Sequence, residues 1–404
     1  LISASELADE SFNIVINDLK PIETYRVEMF LSDYYCINAP MLLAHDVLWK
    51  STATFVSDKN GIIDISQTPS CSGSYEGIST MGLFFNAKPL TNKRKKLPNS
   101  LSKIPLLDHF FVGIKIMQGN TVIAERTFTR HYMSSQISHQ DIYGKHFQGR
   151  LFYDKKAIKA PALIIVSGSE GRIEKAQNIA QLLSSRGYIC LAIAYFGLER
   201  LPKHLKRIPL ECLVEAKDYL RQHPQVDSER IGIYGRSKGA ELVLAEESIF
   251  NDVQCLVLNS PSDVVYEGII GKWNSHTSYW THLQKELSYQ KFRLRDYLFS
   301  KLLKKSFPKD CSARIDIGQM HSPILLLEST VDEIWDASSA IDDIVSHYKG
   351  HHITFKKYHE TGHMLTVAYQ PNHRYRKDWR LLMKESKDSW LATIHFFDRH
   401  LKKQ

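Results

Sequence analysis

Nowhere does the chain run to eighteen consecutive apolar residues, so no membrane-spanning helix is expected. Cysteine is scarce, with six in 404 residues, and neither a C-x-x-C nor a Cys/His spacing of the zinc-binding kind occurs. No metal site and no cofactor are expected. Cys36 and Cys71 flank Trp49 too closely for the Cys-Trp-Cys pattern of antibody domains, which argues against a disulfide there. Cys190 and Cys255 sit within apolar runs, where a thiol behaves as a small hydrophobe, and reduced thiols in a cytoplasmic protein are the expectation. Internal repeats and low-complexity tracts are lacking as well. The positive excess is only +8, and no nucleic-acid-binding motif accompanies it. Part of that charge lies in Lys93-Arg94-Lys95-Lys96 and Lys304-Lys305, runs that suit either solvated loops or attraction of an anionic substrate such as the phosphates of a coenzyme.

What is present is the composition of a globular protein with a proper core, 43% hydrophobic and 24% charged. The length exceeds one average domain and accommodates two. The chain begins at Leu1 rather than Met, which leaves room for a trimmed start or a removed targeting segment. Residues 1–135 read as all-β: short alternating segments at 12–16, 24–30 and 53–56 are split by turn residues. Asn60-Gly61 predicts a hairpin into 62–65, and Gly119-Asn120 another between 110–116 and 121–126. Seven or so short strands in this length suggest an immunoglobulin-like sandwich. A boundary is placed in the polar stretch 132–141. From residue 147 the pattern changes to strands (162–166, 188–195, 230–234, 253–259, 323–327, 352–358) alternating with helices (173–185, 209–222, 237–249, 338–347, 389–401), which implies a mostly parallel sheet.

The stretch with the clearest chemistry is Ile231 to Gly239, I-G-I-Y-G-R-S-K-G. A β-type run enters Gly235-Arg236-Ser237-Lys238-Gly239 and a helix-favouring run leaves it, which is G-x-S-x-G in the strand-turn-helix setting of the α/β-hydrolase nucleophile elbow. The turn strains its central residue, and a Cβ at Gly235 or Gly239 would crowd the neighbouring strand and helix. Ser237 then projects its hydroxyl at the positive end of a helix. An ordinary βα turn is the plainer alternative.

A serine hydroxyl needs a neighbouring base to become a nucleophile. In this fold the order is Ser, acid, His, each on a loop after a strand. Glu360-Thr361-Gly362-His363 follows the strand ending at Tyr358, which makes His363 the expected base ahead of His351, His352, His359 and His373. Asp332 lies on the loop after 323–327 and is the expected acid, orienting His363 and stabilising the imidazolium, with Glu333 and Asp336 as competitors. Asp336 also suits a helix N-cap. Two backbone N–H groups are needed for the oxyanion: Lys238 supplies one, and the loop Ser167-Gly168-Ser169-Glu170-Gly171 the other, Ser169 first and Glu170 next. Residues 262–319, rich in aromatics (Trp273, Tyr279, Trp280, Tyr289, Phe292, Tyr297, Phe299, Phe307), interrupt the βα rhythm where such folds carry a lid. They read either as a helical insertion packed on the core or as an apolar wall for an acyl chain.

Several spaced motifs in one order extend the reading. Ser72-Gly73-Ser74-Tyr75-Glu76-Gly77-Ile78-Ser79-Thr80-Met81-Gly82-Leu83-Phe84 resembles the S-Y-x-G-x-x-x-M-G-L signature of the acyl-CoA thioesterase / bile acid-CoA:amino acid N-acyltransferase family. Ala194-Tyr195-Phe196-Gly197, Leu201-Pro202-Lys203, Ser237-Lys238-Gly239-Ala240-Glu241-Leu242 and Glu360-Thr361-Gly362-His363 are similar to its other motifs. The resemblance implies an immunoglobulin-like domain over 1–135, an α/β-hydrolase domain over 136–404 with the insertion at about 262–319, and cleavage of acyl-CoA thioesters by a Ser-Asp-His triad. It also implies Cys as nucleophile in the transferase branch, so Ser237 points to water as acceptor. The family's G-x-D-D-x-x-W stretch is altered here: Ser329 replaces the glycine and Val331 the first aspartate, leaving Asp332 and Trp335. The end, Leu401-Lys402-Lys403-Gln404, is not the S-K-L peroxisomal address that some relatives carry, in keeping with a cytoplasmic setting. The rival expectations are a carboxylesterase or dienelactone-hydrolase-like enzyme, an amino acid N-acyltransferase, and a catalytically dead binding protein.

Overall fold

The computed structural model describes residues 2–4, 6–291, 309–350, 352–372 and 378–403. Phe292, Tyr297, Phe299, Phe307, Lys304, Lys305, His351 and His373 lie outside the described residues. Two compact units emerge: 1–97 with 105–134 and 366–388, and 98–104 with 135–365 and 389–404.

The second unit holds an eight-stranded sheet: β1 (Ile137–Tyr143), β2 (Gln148–Asp154), β3 (Ala160–Val166), β4 (Ile189–Ala194), β5 (Val226–Arg236), β6 (Cys255–Asn259), β7 (Ile324–Ser329) and β8 (Ile353–Tyr358). They lie in the order β1-β2-β4-β3-β5-β6-β7-β8. β1 and β2 are antiparallel to their neighbours, and all other pairings are parallel. Helices α1 (Glu174–Ser184), α2 (Glu211–Gln222), α3 (Lys238–Phe250) and α4 (Ala337–His347) connect the parallel strands. This is the α/β-hydrolase architecture. Its central strands are buried along their whole length (β4, β6 and β7 throughout), because helices cover the sheet and leave no solvated face to alternate with polar residues.

The polar stretch taken for a boundary overlaps β1, which starts within it at Ile137. An edge strand has a partner on one side only and a solvated flank, so Ser138, His139, Gln140 and Asp141 are tolerated there and hide the strand from a hydrophobicity reading. The last helix, α5 (Trp379–Leu401), starts ten residues before its expected first residue, 389. The Asp378 carboxylate accepts the Arg380 N–H at 2.9 Å and the Leu381 N–H at 3.3 Å, a cap that the polar first turns obscured.

Between β6 and β7 the described part of the insertion holds no α-helix, only a 3-10 turn at Cys311–Ala313, and is built mainly from hairpins. Glu267–Ile270 pairs antiparallel with Trp273–Ser278 across a turn at Gly271, whose φ of 62° suits glycine. Trp280–His282 pairs with Lys285–Glu286 and, in parallel, with Ile208–Pro209. Tyr279 and Trp280 join the core of this unit, whereas Trp273 is 79% exposed.

The first unit is mostly β, with a one-turn helix at Gly82–Phe85 and the first turns of α5 also belonging to it. One sheet runs Ser72–Gly73, Trp49–Val56, Thr24–Ser32, His109–Gln118, Thr121–His131, with Lys88–Pro89 also paired to Trp49–Val56. A smaller sheet joins Ile2–Ala4, Phe12–Ile16 and Ile63–Asp64. Phe12 of the small sheet meets Phe128 of the large one edge to face at 5.4 Å, so the inward faces share a core. The Gly119-Asn120 hairpin forms, with Gln118 opposite Thr121. The one expected at Asn60-Gly61 does not: Trp49–Val56 pairs with Thr24–Ser32, and Ile63–Asp64 pairs with Phe12–Ile16. The Asp58 carboxylate takes the N–H groups of Asn60 and Ile62 at 2.9 and 2.8 Å, closing a local turn that sends the chain to the other sheet. In the 72–84 motif, Tyr75 is buried with its ring against Gly82, where a Cβ would come within 2.5 Å of it; this is packing chemistry. All six cysteines are free thiols, and Cys36, Cys190, Cys212 and Cys255 are buried. No described helix is long and apolar enough to cross a membrane.

Candidate active site

β5 ends at Arg236 and α3 begins at Lys238, leaving Ser237 alone in the turn with φ 56° and ψ −125°, a conformation that costs a non-glycine residue energy. The turn is over-determined by its surroundings. A Cβ on Gly235 would sit 2.8 Å from Ala240 Cα, and one on Gly239 would sit 2.2 Å from the Ser167 carbonyl oxygen at the end of β3. Ser237 N–H donates to the Asn259 carbonyl at the end of β6, at 2.8 Å. The strained serine is thus held by β3, β6 and the first turn of α3 together.

Asp332 and His363 lie on the loops after β7 and β8. Ser237 Oγ is 2.9 Å from His363 Nε2, and His363 Nδ1 is 2.7 Å from Asp332 Oδ2. The two side chains of the second pair are 8% and 2% exposed, so water barely competes for that bond. Asp332 Oδ1 accepts the N–H groups of Ile334 at 2.9 Å and Trp335 at 3.3 Å, which fixes the carboxylate from both ends. Trp335 also sets its ring edge to face against His363, with centroids 4.9 Å apart. Of the competing residues, Asp336 caps α4 by accepting the Ser339 N–H at 3.0 Å. Glu333 is exposed and its carboxyl is pushed up, chiefly by desolvation and then by neighbouring Asp332. His359 bonds Thr330 Oγ1 at 2.9 Å, away from Ser237.

The loop after β3 reaches the serine. A Cβ on Gly168 would lie 3.0 Å from Ser237 Cβ and 3.3 Å from Ser237 Oγ, so only a bare backbone fits there. The Tyr195 hydroxyl, buried beneath, donates to the carbonyls of Gly168 at 2.5 Å and Ser167 at 3.2 Å. Ser169 is exposed at the loop tip. Burial raises the Glu170 carboxyl, but Lys175, Arg236 and the backbone N–H groups of Glu170 and Gly168 outweigh it and hold the group below its ordinary range. Lys238, first residue of α3, has an N–H with no intrahelical acceptor.

Sequence reasoning considered only the backbone of Lys238; its side chain is as notable. The ammonium is buried, pairs with Glu241 one turn on, and lies 4.2, 4.4 and 4.8 Å from the ring centres of Tyr266, Tyr279 and Trp335. Glu241 Oε1 accepts Trp280 Nε1–H at 3.0 Å and Tyr266 N–H at 3.2 Å. Burial pushes Glu241 up and Lys238 down, each opposed by the other's charge. The i,i+3 spacing of Lys238 and Glu241 was a visible signal for the pair; its aromatic surround was not.

Residues 9–143 match the acyl-CoA thioester hydrolase/BAAT N-terminal region, and residues 208–403 match the BAAT / acyl-CoA thioester hydrolase C terminal. The chain belongs to this family. It is 25% identical over 375 residues to acyl-coenzyme A thioesterase 1 of Mus musculus, covering 90% of this chain and 84% of that one. It is 27% identical over 266 residues to the Mus musculus acyl-coenzyme A amino acid N-acyltransferase 2, covering 65% of this chain and 60% of that one. Among solved structures, a putative dienelactone hydrolase from Klebsiella pneumoniae aligns with a TM-score of 0.45 at 14% identity, over 65% of this chain and 99% of the other. The family thus contains both hydrolases and acyltransferases of acyl-CoA.

Proposed function

We propose that the protein is an acyl-CoA thioesterase working through an acyl-enzyme on Ser237. The observation that carries this reading is the unbroken path Ser237 Oγ, His363, Asp332, with hydrogen bonds of 2.9 and 2.7 Å. His363 Nε2 removes the hydroxyl proton as Ser237 Oγ attacks the thioester carbonyl, and Asp332 holds the imidazolium that results. The N–H groups of Lys238 and Ser169 take the oxyanion as its charge develops. When the tetrahedral adduct collapses, the C–S bond breaks and the coenzyme thiolate leaves with the proton from His363. Water, deprotonated by His363, then attacks the ester and releases the free acid. A serine at the elbow supports hydrolysis over transfer, since the family resemblance associates the transferase branch with cysteine. Buried reduced thiols fit a cytoplasmic setting.

The decisive experiment is Ser237→Ala, assayed by release of coenzyme thiol from palmitoyl-CoA. Turnover should drop by several orders of magnitude; retained turnover would eliminate Ser237 as nucleophile. In the parent protein, kcat/KM for palmitoyl-CoA should exceed that for a p-nitrophenyl ester, and excess amino acid should leave the product a free acid. A clear preference for the oxygen ester, or an N-acyl product, would replace the thioesterase reading.

A further inference from the structure

The loops that bear Asp332 and His363 meet at one side chain, that of Ser329. Ser329 is the last residue of β7 and is 1% exposed. Its carbonyl accepts the N–H of Asp332 at 3.2 Å, folding the acidic turn back on the strand end. Its hydroxyl accepts the N–H of Gly362 at 3.1 Å and that of Val331 at 3.4 Å. Gly362 immediately precedes His363, is buried, and has φ 56°, a left-handed turn that glycine allows, so the turn that aims the imidazole has a buried amide at its apex. A buried amide left without an acceptor is unfavourable, and the chain would shift to find one.

We propose that Ser329 is a positioning residue: one hydroxyl clips the loop of His363 to the turn of Asp332 and fixes the separation of imidazole and carboxylate. The inference rests on the triad reading above. A glycine at this place offers no side-chain acceptor to the Gly362 amide, so this chain sets the acid–base geometry with an atom of its own. Because the two loops come from adjacent parallel strands, with Ser329 paired to Tyr358, a clip at the strand end acts where the loops diverge.

The test uses the full chain with Ser329→Ala, Ser329→Gly and Ser329→Thr. Two rates are measured: labelling of Ser237 by a fluorophosphonate, and kcat and KM on palmitoyl-CoA. Removing the hydroxyl should slow labelling and lower kcat together, by about tenfold to a hundredfold for a base displaced by a fraction of an ångström, with KM within about twofold. The threonine variant, which keeps the oxygen, should recover most of both. Labelling in Ser329→Ala and Ser329→Gly within twofold of the parent would overturn the proposal. So would a threonine variant as slow as alanine at an unchanged melting temperature. The labelling ratio does not depend on which ester is the natural substrate, so a parent inactive on palmitoyl-CoA would sink the thioesterase reading while the ratio still judged Ser329. Should the alanine and glycine variants fail to fold, amide exchange in the unmodified protein decides: Gly362 should be protected, and exchange at an open-loop rate would refute the clip.

Discussion

Replacing Asp332 by Asn keeps shape and size while reversing one proton, and the surroundings dictate which way the amide turns. Oδ1 faces two backbone donors, Ile334 and Trp335 N–H, so an NH2 group there would set donor against donor. The carbamoyl oxygen must stay at that end, and the NH2 must face His363 Nδ1, 2.7 Å away in the parent. Nδ1 is then an acceptor, and the ring proton moves to Nε2, which points at Ser237 Oγ from 2.9 Å. A base whose facing nitrogen already carries a proton cannot take another. The corresponding change in a serine protease triad lowers kcat by about 10⁴, which is about 5 kcal/mol at ~1.36 kcal/mol per decade. Coenzyme release from palmitoyl-CoA should therefore fall by about three to four decades, with KM little changed and the melting temperature within a few degrees. A variant retaining more than about a tenth of parental kcat would show that Asp332 does not set the tautomer, and the mechanism would need another acid.

Other perturbations probe the frame around the serine. Gly239→Ala puts a methyl 2.2 Å from the Ser167 carbonyl, so the elbow must move off β3; fluorophosphonate labelling should be lost even in folded protein, and normal labelling would contradict the steric account. Glu241→Gln leaves the Lys238 ammonium buried without its counter-charge, and should cost about 3–5 kcal/mol in denaturant unfolding. The double variant Lys238→Met with Glu241→Gln, whose amide oxygen can still accept from Trp280 and Tyr266, should regain much of that loss, whereas simple additivity of the single changes would deny the pairing. In the first unit, burial and then the charge of Lys95 lower His45 to about 4. Its folded pKa lies below the unfolded value of about 6.5, so its stabilising contribution is whole above about pH 6.5 and is lost as the pH falls through about 4. Melting temperature should decline over that window, and His45→Gln should flatten the decline.

The strands of the second unit were readable wherever burial is complete. Ala162 to Val166 and Cys255 to Leu258 form unbroken apolar runs because helices cover both faces, and the expected strands overlap the observed ones there to within two residues at each end. Reading failed where position in the sheet replaced composition as the deciding factor. Ile137–Tyr143 is polar because it is an edge, and residues 267–286 are hairpins because Gly271 permits the turn and Ile208–Pro209 offers a partner distant in sequence. Asn60-Gly61 carried a hairpin signal, but Phe12–Ile16 competed successfully for Ile63–Asp64.

The site divides along the same line. The proposed triad Ser237, Asp332 and His363 could be singled out because each follows a strong strand, and because Gly235 answers a steric need set by Gly239 and Ala240 within five residues, whereas Gly239 answers one set by Ser167 on a distant strand end. Local sterics and alternation in burial are written into neighbouring residues, so the sequence alone determined them. The acceptor that Ser329 gives Gly362, the aromatic surround of Lys238 and the recruitment of 366–388 to the first unit join residues tens to hundreds of positions apart. Such contacts exist only once the strands have chosen their neighbours, and no local pattern encodes that choice; tertiary structure alone decided them.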